Sequence, residues 1–186
     1  MILSDKSIKE SLRCRELEIV GELPLYIGPS SVDLHLDNKA LILKKDSAEG
    51  IHFDQDPSDR FQEYNDWEEI TIYPGEFYLL HTKEWIKFPR NIAGFIQGRS
   101  SIARLGINIH AAGFFDPGFC GTATLEVTNF TQVPITIPAG TRIAQMVFME
   151  VDKDVMISYA EKKDSKYQGQ KSPVISKINK DYGARN

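Results

Sequence analysis

Between Gly98 and Glu126 the chain reads GRSSIARLGINIHAAGFFDPGFCGTATLE, a window dense in groups that could do chemistry. Arg99, Ser100, Ser101 and Arg104 fall where a strand gives way to a short helix over Ser100–Leu105, stopped by Gly106. Free backbone N–H groups at such a junction favour an anion, and arginine adds paired hydrogen bonds to phosphate oxygens. GRSS is not a Walker loop, and on its own the stretch reads equally well as an ordinary capped helix with solvated arginines. Glu126 lies on a segment whose alternation puts Thr122, Thr124, Glu126 and Thr128 on one face and Ala123, Leu125 and Val127 on the other. A lone Glu on a strand is most often merely solvated, but three threonines beside it suit a polar pocket. Asp116-Pro117-Gly118 is first of all a turn, and Phe119 next to it suits either a core or a flat sugar face. Polyphosphate binding combined with an acid that activates water points to hydrolysis on a nucleoside triphosphate.

These groups need a frame of short strands. Ser31–Leu36 alternates, with Val32, Leu34 and Leu36 inward and Ser31, Asp33 and His35 outward. Glu69–Tyr73 ends at Pro74-Gly75, and Glu76–Leu80 returns as another strand. Strands follow over Ile92–Gln97, Ala123–Val127, Pro134–Ile137 and Arg142–Val147. Ser4 can cap a first helix that points Ile8 and Leu12 inward. Residues 44–69 read as an acidic surface excursion with one edge strand, and the tail from Lys162 has almost no apolar periodicity. The pattern predicts an all-β sandwich, jelly roll or clip with short helices, as one domain over residues 1–186.

At 186 residues the chain can bury one full-sized core. The 22 Lys and Arg against 26 Asp and Glu leave a net charge of −4, so no global field draws in a nucleic-acid polymer, although a local basic cleft can still take a triphosphate. Cys14 and Cys120 are too few for a disulfide framework. His35, His52, His81 and His110 are scattered without metal-ligand spacing. Neither H-x-E nor P-C-x-x-C occurs, which excludes the zinc nucleobase deaminases. No leader or membrane-spanning run is expected, and the default location is the cytoplasm.

Taken in order, GRSSIARLG, then AGFFDPGF and the TLE of Thr124–Glu126, then Pro134–Gly140, Arg142-Ile143-Ala144-Gln145 and Ser165-Lys166-Tyr167-Gln168-Gly169-Gln170 resemble the dCTP deaminases of the trimeric dUTPase superfamily. Pro29–Leu34 resembles that family's early strand. The resemblance covers nearly the whole chain outside residues 44–69. It implies a dUTPase-like distorted jelly roll with a flexible C-terminal lid over about 160–186, and a homotrimer whose sites are shared between neighbours. It implies deamination of dCTP to dUTP and ammonia with no metal at the reacting carbon. Magnesium would enter only as the nucleotide complex, and dTTP would be a further ligand, an inhibitor in many members.

Position by position, the resemblance implies that Arg99, Ser101 and the turn through Ile102 and Ala103 hold the triphosphate. Ser100 would position the attacking water, with Arg104 setting the charge of the pocket. Glu126 would be the general base and Asp116 the partner of the 3′-hydroxyl, with Phe119 against the sugar. Backbone groups of Thr124 and Leu125 would read the pyrimidine. Tyr159, Lys166 and Gln170 would fold over the phosphates, supported by Gln145. The short connection from Arg104 to Asp116 resembles trimeric dUTPases and bifunctional deaminases that continue to dUMP and pyrophosphate, with Asp116 activating water against the α-phosphate and Asp33 holding part of a metal's water shell. A plain dUTP diphosphatase and a non-catalytic nucleotide-binding regulator remain the alternatives. Ordinary dUTPases lack an acid at the position of Glu126.

Overall fold

The computed structural model describes residues 1–22, 24–45, 50–110 and 112–183; residues 46–49 of the acidic excursion and the last three of the tail lie outside them. The first helix, α1 (Asp5–Arg13), starts where the Ser4 hydroxyl accepts the Ser7 N–H, and it buries Ile8. Short strands β1 (Glu18–Val20) and β2 (Tyr26–Ile27) precede β3 (Val32–His35) and β4 (Lys39–Leu43). After the excursion come β5 (Phe61–Asn65), β6 (Glu69–Ile72), the long β7 (Phe77–Lys87) and β8 (Ile92–Gly98). A single helical turn, α2 (Ser100–Ala103), leads to β9 (Ile107–His110), β10 (Phe114–Phe115) and β11 (Cys120–Asn129). The strands end with β12 (Ile135–Pro138) and β13 (Arg142–Glu150).

One sheet runs β5-β4-β7-β11-β9, with β1 pairing to β7 as well; a second runs β10-β8-β13-β3-β2; β12 and β6 form a separate pair. The all-β expectation holds. Both sheets turn their apolar alternation into one core. Val32, Leu34 and Leu36 are fully buried from one side, and Ala123, Leu125 and Val127 from the other. The edge strand expected in the acidic excursion is β5, which among the described residues pairs only with β4.

Two departures from the sequence reading share a cause. Strand β7 continues through His81–Lys87, well past Leu80, and His35 is buried instead of facing water. The polar letters of that stretch lie inside. Glu84 accepts the His35 backbone N–H at 2.9 Å, and its other oxygen lies 2.5 Å from His35 Nδ1. Thr82 accepts the Ala123 N–H at 2.9 Å and donates to the Glu84 carbonyl at 3.0 Å. This occurs where the β7–β11 register shifts between Thr122 and Thr124. Buried polar groups are tolerated when each finds a partner, but the partners are 41 and 49 residues apart in sequence.

Candidate functional site

A cavity of about 380 Å³ opens between β11, β7, the turn after β10 and the tail. Glu126 and Thr124 reach it from β11, Asp116 and Phe119 from the turn, and Tyr159 and Gln170 from the tail. Across the ladder, Leu79 stands opposite Glu126 and Phe77 opposite Thr128, so the acid has apolar neighbours on the same wall. Glu126 Oε2 is buried without a hydrogen-bond partner among the described residues. Burial pushes the Glu126 pKa up, and the backbone N–H groups of Glu126 and Ala112 pull only partly back. A carboxyl group so placed keeps its proton to higher pH than an exposed one, as acid–base groups in clefts do.

The Asp116-Pro117-Gly118 turn forms one corner of this wall. The Phe119 N–H donates to the Asp116 carbonyl at 3.1 Å, and Gly118 adopts φ +84°. A Cβ there would lie 2.5 Å from the Ser158 side chain. Ser158 and Tyr159 pack against the turn, with the Tyr159 N–H donating to the Pro117 carbonyl at 2.9 Å. A clasp fixes this segment from outside. The Arg90 guanidinium forks onto Glu161 at 2.8 and 3.0 Å, and Glu161 accepts both the N–H and the hydroxyl of Ser158. Arg90 and Ser158 together hold the Glu161 carboxyl down at about 2. Gly118→Ala should therefore lose about 1–3 kcal/mol in denaturant unfolding and loosen Tyr159 over the cavity. An unfolding midpoint equal to that of the wild type would refute the close approach.

The arginine-serine turn forms a separate feature. Arg99 Nε lies 3.2 Å from Asp33 Oδ2, and Arg142 Nη1 lies 3.3 Å from the same oxygen. Arg99 also donates to the Arg142 carbonyl at 3.0 Å, while the Arg142 guanidinium sits 4.2 Å from the centre of the Tyr26 ring. Two guanidiniums on one carboxylate leave the patch positive, as an anion site requires. Ser100, Ser101, Ala103 and Arg104 are exposed beside it, and Ile102 leans on the core. Gln145 pairs in register with Asp33 and Gln97, on the same sheet as this patch.

One chain thus gathers Glu126, Asp116, Phe119, Thr124, Tyr159 and Gln170 around a cavity whose lining includes none of Arg99–Arg104 or Gln145. The Leu125 side chain is in the core. Lys166 is committed to Asp181 at 2.5 Å and is not among the lining residues. The sequence reading missed Phe77, Leu79 and Phe114 as lining residues, and with them Val174 and Ser176 of the tail. Alternation along Phe77-Tyr78-Leu79 carried a usable signal for the first two; residues 171–176 carried none. Arg90 looked like an ordinary surface cation, and Arg142 carried part of the resemblance without a role of its own. Among the described residues no cluster of three or more His, Cys, Asp or Glu could hold a metal ion, and no helix is long and apolar enough to cross a membrane.

A family model described as dCTP deaminase-like matches residues 2–151. The chain is 42% identical over 188 residues to a protein of Dictyoglomus turgidum named dCTP deaminase, dUMP-forming, covering 98% of this chain and 97% of that one. It is 37% identical over 190 residues to a protein of the same name from Halobacterium salinarum, covering 97% and 96%. The crystal structure of 2′-deoxycytidine 5′-triphosphate deaminase from Agrobacterium tumefaciens superposes with a TM-score of 0.62 at 23% identity, over 84% of this chain and 49% of that one.

Proposed function

This chain belongs to the dCTP deaminase-like family, and we propose that it hydrolyses dCTP to dUTP and ammonia and carries the dUTP on to dUMP and pyrophosphate. The observation that carries the first step is Glu126, an acid whose buried Oε2 has no partner among the described residues, in a partly apolar cavity. As a carboxylate it takes a proton from water as the oxygen bonds to C4 of cytosine, and it passes that proton to N3. It then takes the proton of the new C4 hydroxyl and hands it to the amino nitrogen; the C4–N bond breaks as C4=O forms, N3 keeps its hydrogen and ammonia leaves. A single group with a raised pKa can serve both transfers because each leaves it ready for the next. Thr124 borders the base, while Asp116 and Phe119 border the deoxyribose.

The second step is supported by Asp116, which shares the cavity and is free to activate water against the α-phosphate once C4 carries oxygen. The full-length relatives named dUMP-forming support it as well. Arg99, Ser101 and Arg104 would hold the triphosphate, with Ser100 on the attacking water. The donor set suits magnesium that arrives with the nucleotide rather than a resident ion: Asp33 is one carboxylate facing the positive patch, positioned to bind water of such an ion. When bound, the ion would neutralise phosphate charge. Since cavity and patch are separate in one chain, the complete site forms between neighbours in a homotrimer. Exposed apolar side chains support an assembly: Phe114 and its cross-strand partner Phe95 are 55% and 37% exposed. The enzyme would work in the cytoplasm on free nucleotides, with dTTP competing for the same cavity.

Incubation with magnesium and dCTP, followed by nucleotide separation and ammonia assay, tests this reading. One ammonia per dCTP, with dUMP appearing from the outset, is expected. Accumulating dUTP would remove the second step. Ammonia-free conversion of dUTP alone would make the protein a dUTP diphosphatase, and tight binding without turnover would make it a regulator.

A further inference from the structure

Strand β11 runs past both ends of the cavity, and its ladder with β7 slips once along the way. Upstream, Cys120, Gly121 and Thr122 stand opposite Lys87, Ile86 and Trp85; downstream, Thr124 and Glu126 stand opposite His81 and Leu79. On β7, Thr82, Lys83 and Glu84 therefore face Ala123 alone. A bulge of this kind bends the strands locally and re-aims the side chains beyond it. The upstream half is tied to the Asp116 turn, because the Phe88 N–H at the end of β7 donates to the Phe119 carbonyl at 2.9 Å. The downstream half carries Thr124 and Glu126 into the cavity. The offset between Glu126 and the Asp116 turn is set at the bulge.

One hydroxyl fills the gap that the slip leaves in the ladder. Thr82 Oγ1 accepts the Ala123 N–H at 2.9 Å, where a regular ladder would offer a carbonyl, and gives its own hydrogen to the Glu84 carbonyl at 3.0 Å. Thr82, Glu84 and Ala123 are fully buried, so solvent does not replace either bond. The bulge is also anchored to β3 and the residue after it. The Glu84 side chain holds His35 at its backbone N–H and at Nδ1, and Leu36 bridges to Thr82. Support of this kind from a second sheet keeps the hydroxyl in one orientation.

We propose that Thr82 is a positioning residue for the deamination step: by fixing the bulge opposite Ala123, its hydroxyl sets where Glu126 meets a nucleotide whose sugar is held at the Asp116 turn. This rests on the proposed dCTP reading and deepens it, adding a core residue that is not among those lining the cavity. Without the hydroxyl, the Ala123 N–H and the Glu84 carbonyl lose their shared partner, and the strands shift to recover other bonds. Contacts to sugar and phosphates survive such a shift, whereas the acid falls out of line. A misplacement of about 1 Å costs about 100-fold in rate.

The test is Thr82→Val, which keeps the shape and removes the hydroxyl. Ammonia release from dCTP is measured with magnesium present and expressed per nucleotide-binding site. The kcat should fall about 10- to 100-fold while KM stays within about threefold of wild type. Thr82→Ser restores the hydroxyl and should recover most of the lost rate. A role confined to stability would lower the number of binding sites and leave turnover per site unchanged. Should Thr82→Val not fold, Thr82→Cys takes its place against Thr82→Ser, since the two are close in size and a thiol donates and accepts weakly. Unchanged kcat per site, a rise in KM alone, or a Ser variant no faster than Val or Cys overturns the positioning role and leaves deamination standing. Absence of ammonia release from the wild-type protein overturns the deamination reading, and this role with it.

Discussion

In Glu126→Gln, dCTP binding persists while ammonia release falls by about 10²–10⁴-fold, the usual contribution of a positioned acid–base group. Glutamine matches the shape of the acid, so cavity and backbone survive, but it cannot carry one proton of the water to N3 and the other to the leaving nitrogen. A pH dependence accompanies this result. Burial raises the Glu126 pKa, and attack requires the carboxylate. Activity therefore falls as the pH drops through that raised value, above the ordinary glutamate value of about 4.3. Glu161, held at about 2, cannot produce a limb there. Stability moves the other way. Because the folded pKa lies above the unfolded one, the folded chain holds the Glu126 proton more tightly, and stability is lost as the pH rises through the raised value. Glu126→Gln removes that loss, so its melting temperature relative to wild type should improve more at pH 8 than at pH 4. An activity profile without an acid limb above the ordinary glutamate range, or a uniform melting shift, would take Glu126 out of this role.

Alternation and turn residues made the strands legible wherever one face is apolar and the other polar: β3, β6, β8, β11 and β13 all lie where the pattern puts them. Reading failed where polar side chains are inside. His81, Thr82 and Glu84 look like a surface run, yet they are fully buried because each meets β3, the adjoining loop or β11. Two-residue strands such as β2 and β10 are defined by the edges they pair with, which no local period announces. The same division holds at the site. Glu126 and Asp116 could be singled out because their residue types on a strand and a turn suggest chemistry. Val174 could not, since its place in the cavity wall is set by the path of the tail, which its residue type does not announce. The clasp of Arg90 on Glu161 was equally hidden, because 71 residues separate two ordinary surface charges.

Mixing two inactive variants should restore turnover. Ser100→Ala removes a hydroxyl from the exposed turn beside the positive patch, and losing such a water-positioning donor costs about 10²–10³-fold. Glu126→Gln disables the cavity. In any one chain these groups belong to different features: the cavity wall contains Glu126 but none of Arg99–Arg104. If a trimer joins the cavity of one copy to the turn of its neighbour, each interface is heterologous and closes into a ring. After co-refolding equal amounts, a site is intact when its cavity comes from a Ser100→Ala chain and its turn from a Glu126→Gln chain. Random assembly makes about a quarter of the sites intact, far above either parent alone. The rate of ammonia release after co-refolding, compared with the same proteins refolded separately and then mixed, is the measurement. If the mixture stays as inactive as its parents while sedimenting as a trimer, each site is built within one chain. The turn would then have to swing towards its own cavity, which would require breaking the Arg99–Asp33 pair that now holds it on the other sheet.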